Sequence, residues 1–216
     1  MEVQNHGIVF EDIVISSITG MGKEQYQTLL ENSYTHSMDI VKGLHSDHDY
    51  SIKVSKNGTS VGCGDILRFM DHTLSKPFIM VVGVWRQKDQ ERKVYTDIYE
   101  FYFDPKHQQL LWASLTRDAL EPFVAWVKAI PPYSQGLLQA RKEWKIRRDQ
   151  LYAQYGKGLV RIDAKIDSKK QRRVQCSIKL AELIAAGVEY KKYSSKYQGV
   201  YLPYEQKSSP RSFSKT

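Results

Sequence analysis

Phe78-Ile-Met-Val-Val-Gly-Val-Trp85 is the stretch on which the fold turns. It is almost wholly apolar and carries no charge, so it reads as a strand buried on both faces. Downstream, Val94-Tyr-Thr-Asp-Ile-Tyr-Glu-Phe-Tyr-Phe103 is aromatic and β-branched with partial alternation, and Asp104-Pro105 ends it as a second strand. Upstream the period changes. Ile8, Phe10, Ile13, Val14, Ile18, Tyr26, Leu29 and Leu30 recur at mixed spacings of three and four, giving two amphipathic helices broken at Gly20-Met-Gly22. Met38–Val41, Tyr50–Val54 and Ile66–Phe69 read as short runs rather than helices. Further along, Thr116 with Asp118 and Glu121 opens a helix through Ile130, which Pro131-Pro132 stops. Gly136–Tyr155 is a basic helix bounded by Gly156 and Gly158. Leu159–Ile166 and Arg173–Leu180 form a hairpin around Asp167-Ser-Lys-Lys170. Tyr, Ser and Lys dominate from Tyr190, and residues 191–216 are expected as loop or flexible tail. The expectation is an α/β fold: residues 1–190 as a single mixed-sheet domain flanked by helices, with a late basic β-hairpin.

At 216 residues the chain is long enough to bury a substantial core without disulfide staples. Two cysteines, Cys63 and Cys176, exclude a disulfide-rich scaffold and a four-cysteine zinc site, and they fit a reducing, cytoplasmic compartment. Met1 to Asn5 lacks the basic start and long apolar core of a signal peptide, and no 18-residue apolar run exists. A secreted or membrane-spanning protein is therefore not expected.

Net charge is +8, but its distribution says more. Residues 139–179 hold 13 basic and 4 acidic side chains, whereas residues 1–138 hold 13 and 17. An excess of cations confined to the last third is the footprint of a polyanion partner, most commonly nucleic acid.

Chemistry-bearing residues gather between 39 and 65. Asp39 sits in a short apolar run, Ser51-Ile-Lys53 follows twelve positions on, and Asp65 lies twelve beyond Lys53. Two strands joined by the polar turn Lys42–Asp49 would bring Asp39 beside Lys53, with Ser51 and Lys53 on one face and Ile52 toward the core. Two carboxylates with a phosphate oxygen suit Mg²⁺, a hard cation that keeps several waters, and a lysine beside them can position an attacking water. The ordinary reading of the same residues is a charged turn between strands.

The stretch Asp39…Ser51-Ile-Lys53…Asp65 resembles the PD-(D/E)xK nuclease motif. It is closest to the variant of some type II restriction endonucleases in which Ser or Thr replaces the middle acid and a carboxylate about a dozen residues downstream stands in for it. The sequence departs from the pattern with Met38 where the motif has Pro, with Asp rather than Glu at 65, and with a short Asp39-to-Lys53 spacing. The resemblance implies a restriction-endonuclease-like fold. Its catalytic core spans 35–70, with Asp39, Ser51, Lys53 and Asp65 as catalytic residues and Asp39 and Asp65 as ligands of Mg²⁺. Gly7-Ile-Val-Phe10-Glu11 is similar to the first helix of many such nucleases, whose glutamate can approach the metal; a solvated helix residue is the other reading of Glu11.

The late hairpin resembles segments of restriction enzymes that border the DNA groove. Within the basic part, 139–180, Lys165, Lys169 and Lys170 are expected on phosphates, and Arg172, Arg173 and Gln175 have forked or amide groups able to read base edges. Strand alternation puts Arg173 and Gln175 on one face and Arg172 on the other. A rival acid…D-x-K pattern, Asp149 with Asp163-Ala-Lys165, lies in a cation-rich setting that suits phosphate better than metal. The expected function is a magnesium-dependent, sequence-specific double-stranded DNA endonuclease of the type II restriction class, acting as a homodimer. A non-catalytic nucleic-acid-binding protein and a repair or RNA nuclease of the same fold are the alternatives.

Overall fold

In a computed structural model, which describes residues 5–30, 38–43, 45–131, 136–166 and 171–207, the apolar stretch is β3, Phe78–Gln87. Its first eight residues are all buried, as expected of a strand covered on both faces. It pairs antiparallel with β4, Arg92–Phe103, through a register shift between Val84 and Trp85, and parallel with β1, Tyr50–Lys56. The sheet is therefore mixed, in the order β1-β3-β4-β10 with β10 at Tyr204–Lys207, and helices flank it: the α/β class read from the sequence is the observed one. By its internal contacts the chain divides into two compact units, residues 1–61, 77–103 and 188–216 in one and 62–76 with 104–187 in the other.

The first unit holds this sheet and the helices α1, Asn5–Thr19, and α2, Lys23–Leu29. Phe10, Val14 and Ile15 recur on one face of α1 and are buried in one cluster with Ile52, Ile79, Val81, Tyr95 and Ile98. Gly20, at φ +73°, ends α1 in a conformation a Cβ would strain. Phe10 brings the far end of its ring against Gly83 of β3, where a Cβ would sit 2.5 Å from Cζ, and it stacks on Tyr95 with centroids 4.9 Å apart.

Residues 191–207 are not the loop or tail expected. Two strands, β7 (Tyr190–Tyr193) and β10 (Tyr204–Lys207), pair antiparallel with successive parts of β4, and β8 (Lys196–Tyr197) with β9 (Val200–Tyr201) makes a small hairpin between them. The cause is a buried carboxylate. Glu100 of β4 is 4 % exposed, and it accepts hydrogen bonds from the hydroxyls of Tyr102 (3.2 Å), Tyr193 (2.9 Å) and Tyr197 (3.0 Å). Burial holds the phenols of Tyr193 and Tyr197 well above their usual range, so both remain donors. A tyrosine-rich segment looks polar in composition, yet its rings enter the core while its hydroxyls find a partner.

The second unit is built on a three-stranded sheet, β2 (Ser60–Asp65), β6 (Arg172–Lys179) and β5 (Arg161–Ile166), in the order β2-β6-β5; the unit boundary falls inside β2. The late basic hairpin is its β5–β6 pair. Ile66–Phe69 is not a short run but the start of α3, Ile66–Ser75. Ile66, Phe69, Met70 and Thr73 are all buried, a helical spacing that continues past the segment first considered. Two further helices follow: α4, Gln108–Trp112, and α5, Arg117–Ala129, the latter capped by the Thr116 hydroxyl. The unit is completed by α6, Leu137–Tyr155, and α7, Leu180–Ala185. Gly158 passes so close to α4 that a Cβ would meet the Leu111 carbonyl oxygen at 2.2 Å. Cys63 and Cys176 are both buried, and neither forms a disulfide. Among the described residues no helix is long and apolar enough to cross a membrane.

Candidate active site

Alternation along β1 decides which side chains leave the core. Tyr50 and Ile52 enter the cluster beneath α1, which turns Ser51, Lys53 and Ser55 to the opposite face. Ser51 is buried and Ser55 fully so, its hydroxyl donating to the Ser60 carbonyl at 2.9 Å; Lys53 stays partly exposed. At the edge of β1, Ile40 bridges antiparallel to Tyr50. This sets Asp39 against the strand: its N–H donates to the Tyr50 carbonyl at 2.9 Å. The Asp39 carboxylate then accepts from the Ile52 N–H at 2.5 Å and from Lys53 Nζ at 3.3 Å. The turn that carries this geometry is held by Asp49, whose carboxylate accepts from the Lys42 N–H at 2.8 Å. Asp39 and Lys53 are thus brought together as the sequence led one to expect.

Two groups from the helices join them. Glu11 of α1 accepts from Lys23 Nζ at 2.8 Å, and burial followed by the Asp39 charge raises its carboxyl above the ordinary 4.5, with Lys23 and Lys53 pulling it back. Lys23 is itself placed by Asp12, which accepts from its backbone N–H at 2.7 Å. Two carboxylates and two ammonium groups therefore share one electrostatic neighbourhood on the first unit. Glu11 was open on the sequence. Lys23 was missed, and its only signal was the Gly20–Gly22 break that turns the chain back after α1.

Asp65 lies in the second unit. It ends β2 and caps α3, its carboxylate accepting from the Arg68 N–H at 3.1 Å. Among the described residues no group of three or more His, Cys, Asp or Glu side chains is placed to hold a metal ion. The oxygen-only pair Glu11 and Asp39 nonetheless suits Mg²⁺ chemically, because that cation takes one or two carboxylates and completes its shell with water and substrate phosphate.

On the hairpin, Val174, Cys176 and Ile178 point inward, which leaves Arg173 and Gln175 on the outer face as alternation required. Opposite them on β5 stand Lys165 and Asp163, paired with Arg173 and Gln175 respectively. Beside them, a Cβ at Gly62 or Gly64 of β2 would meet nothing within 4 Å. Arg172 is on the other face, and its guanidinium donates to the carbonyls of Ile130 and Pro131 at 3.0 Å each. That geometry anchors the strand. Lys169 and Lys170 lie outside the described residues. In the rival pattern, Asp163 accepts from the Ser177 hydroxyl at 2.6 Å and Asp149 pairs with Arg148, so both acids are engaged locally.

No protein-family model, curated protein or solved structure matches the chain.

Proposed function

We propose that the chain is a magnesium-dependent, sequence-specific endonuclease of double-stranded DNA, of the type II restriction class. The observation that carries this reading is the Asp39 carboxylate 3.3 Å from Lys53 Nζ at the edge of β1, with Glu11 close enough to feel its charge. In this reading Asp39, with Glu11, holds Mg²⁺. When bound, the cation supplies charge stabilisation at the scissile phosphate. Lys53 holds and orients the attacking water, and its positive charge favours the hydroxide form. Lys23 keeps Glu11 in place. The outer face of the hairpin supplies Lys165 for phosphate and Arg173 with Gln175 for base edges. Asp65, expected as the second ligand, has a capping role that Asp65→Asn retains, so that variant tests its part in cutting separately from its part in folding.

The displaced reading is a non-catalytic nucleic-acid-binding protein, and one observation favours it: an Asp39 bonded to a strand-edge N–H and a lysine has a structural use without metal. Purified protein incubated with phage DNA and Mg²⁺ separates the readings. Discrete bands support the restriction class, a smear points to a repair-type nuclease, and intact DNA points to the binding protein. Lys53→Ala should abolish cutting while leaving DNA affinity intact; normal cutting by that variant overturns the assignment.

A further inference from the structure

Four strands of the first unit end side by side, and alternation puts one residue from each on the face that carries the core beneath α1. Lys56 of β1 stands opposite Trp85 of β3, and Lys93 of β4 stands opposite Gln206 of β10. Trp85 is 7 % exposed and belongs to the core cluster. Both lysines lean over its ring, Lys93 Nζ 4.9 Å and Lys56 Nζ 5.6 Å from the centroid. An indole face attracts an ammonium group, but two ammonium groups gathered on one ring repel each other.

The acids close by are committed elsewhere. Glu205 is shared by Lys88 and Arg92, Asp89 holds Arg92 at 2.7 Å, and the exposed Glu91 acts on Arg92. Among the described residues Lys56 makes no ion pair, and the Trp85 ring is what its ammonium meets. Gln206 completes the row. It is 7 % exposed, and its Oε1 is buried with no hydrogen-bond partner. A buried amide ordinarily finds one, and a half-turn of this amide sets an N–H where the oxygen stands.

We propose that this row is a phosphate-binding site, in which the ammonium groups of Lys56 and Lys93 and the amide N–H of Gln206 converge on one phosphate group. Trp85 is the floor that holds both lysine stems. The phosphate neutralises the two gathered cations and gives the Gln206 amide an acceptor. Three donors arriving from three strands match tetrahedral oxygens better than the two coplanar oxygens of a carboxylate. The site is separate from Asp39 and Lys53: Lys53 and Lys56 are three residues apart on β1, roughly 10 Å, and face opposite sides. It does not depend on the nuclease reading. Free phosphate and a nucleic-acid backbone present the same group, and two titrations of the full chain tell them apart.

Calorimetric titration with inorganic phosphate, against chloride at equal ionic strength, reads the first. Anisotropy of a labelled DNA duplex without divalent metal, over a series of salt concentrations, reads the second. For free phosphate, Lys56→Gln and Lys93→Gln should each weaken binding about tenfold and leave the DNA salt slope unchanged. For a backbone phosphate, each should make that slope shallower by about one counterion. Gln206→Met keeps the length without the donor and should weaken whichever ligand binds, with an unchanged circular dichroism spectrum. Lys88→Gln removes an equal charge already held by Glu205 and should change neither titration. The proposal is overturned if both lysine variants match the wild type in both titrations, or if Gln206→Met keeps full affinity. Losses from Lys88→Gln as large as those from Lys56→Gln also overturn it, because they would show general surface charge in place of a site.

Discussion

Gly83→Ala should destabilise the first unit and disturb the candidate site at the same time. The added Cβ would lie 2.5, 2.6 and 2.8 Å from Cζ, Cε2 and Cε1 of Phe10. Ordinary carbon contacts lie at about 3.5–4.0 Å, so the ring must retreat by about 1 Å. It has nowhere easy to go: Phe10 is 2 % exposed and stacked on Tyr95. Overpacking of this kind costs about 1–3 kcal/mol, and replacing a strand glycine by alanine returns up to about 1 kcal/mol of it. At about 2–4 °C per kcal/mol for a chain of this length, the melting temperature should fall by several degrees. Glu11 follows Phe10 on α1, so a displaced helix carries its carboxylate away from Asp39 and Lys53, and nicking should drop at temperatures where the variant is still folded. Thermal melts followed by circular dichroism, with plasmid nicking at 25 °C, read both effects. Phe10→Leu in the Gly83→Ala background should recover part of the loss, which a double-mutant cycle measures as coupling. An unchanged melting temperature, or losses at the two positions that simply add, would refute the close-packing argument.

Three further outcomes are expected. Burial and Asp39 raise the Glu11 carboxyl above 4.5, so the folded chain binds that proton more tightly than the unfolded one. The resulting cost is absent below 4.5 and grows as pH rises through the raised value; in urea melts Glu11→Gln should therefore gain on the parent with rising pH, and a pH-independent difference contradicts this. Asp39→Asn keeps an acceptor for the Ile52 N–H and should cost no more than about 1 kcal/mol, while Asp39→Ala orphans that N–H and costs about 1–3 kcal/mol more; both should abolish cutting, and equal stabilities for the two variants would deny the edge role of Asp39. Gly158→Ala, whose Cβ would meet the Leu111 carbonyl oxygen, can be relieved only by backbone movement, and a melting temperature equal to the parent's would show that the close approach is not needed.

The parts of this fold legible in the sequence are those where one periodicity acts alone. Phe78–Trp85 has no polar residue to contradict a strand covered on both faces, and the hairpin's alternation sorted Arg173 and Gln175 from Arg172 correctly. The contact of Asp39 with Lys53 followed from a strand period of two and one turn. What was missed depended on tertiary partners. The C-terminal strands are held by a carboxylate 93 and 97 residues away from their tyrosines, which local composition does not register. Residues 66–75 needed a window longer than the four residues first weighed, and Lys23 reaches Glu11 only because two helices fold back on each other. Asp65 carries a role that spacing along the chain does not register: its position at a strand-to-helix junction gives it a cap to make.

The first unit is discontinuous, and that has a consequence for how the chain is made. Residues 62–76 and 104–187 leave the ribosome before Tyr193 and Tyr197 do, so β4 waits through the synthesis of most of the second unit with one edge unpaired and Glu100 without two of its three donors. An unpaired edge rich in aromatic residues is a template for other nascent chains. The lysines of β7, Lys191 and Lys192, arrive with the strand that closes the edge and remain exposed on it. Until then the vulnerable species is a nascent chain rather than the finished protein, and its lifetime is set by translation rate, so slowing elongation between codons 104 and 187 lengthens the interval in which aggregation competes with folding.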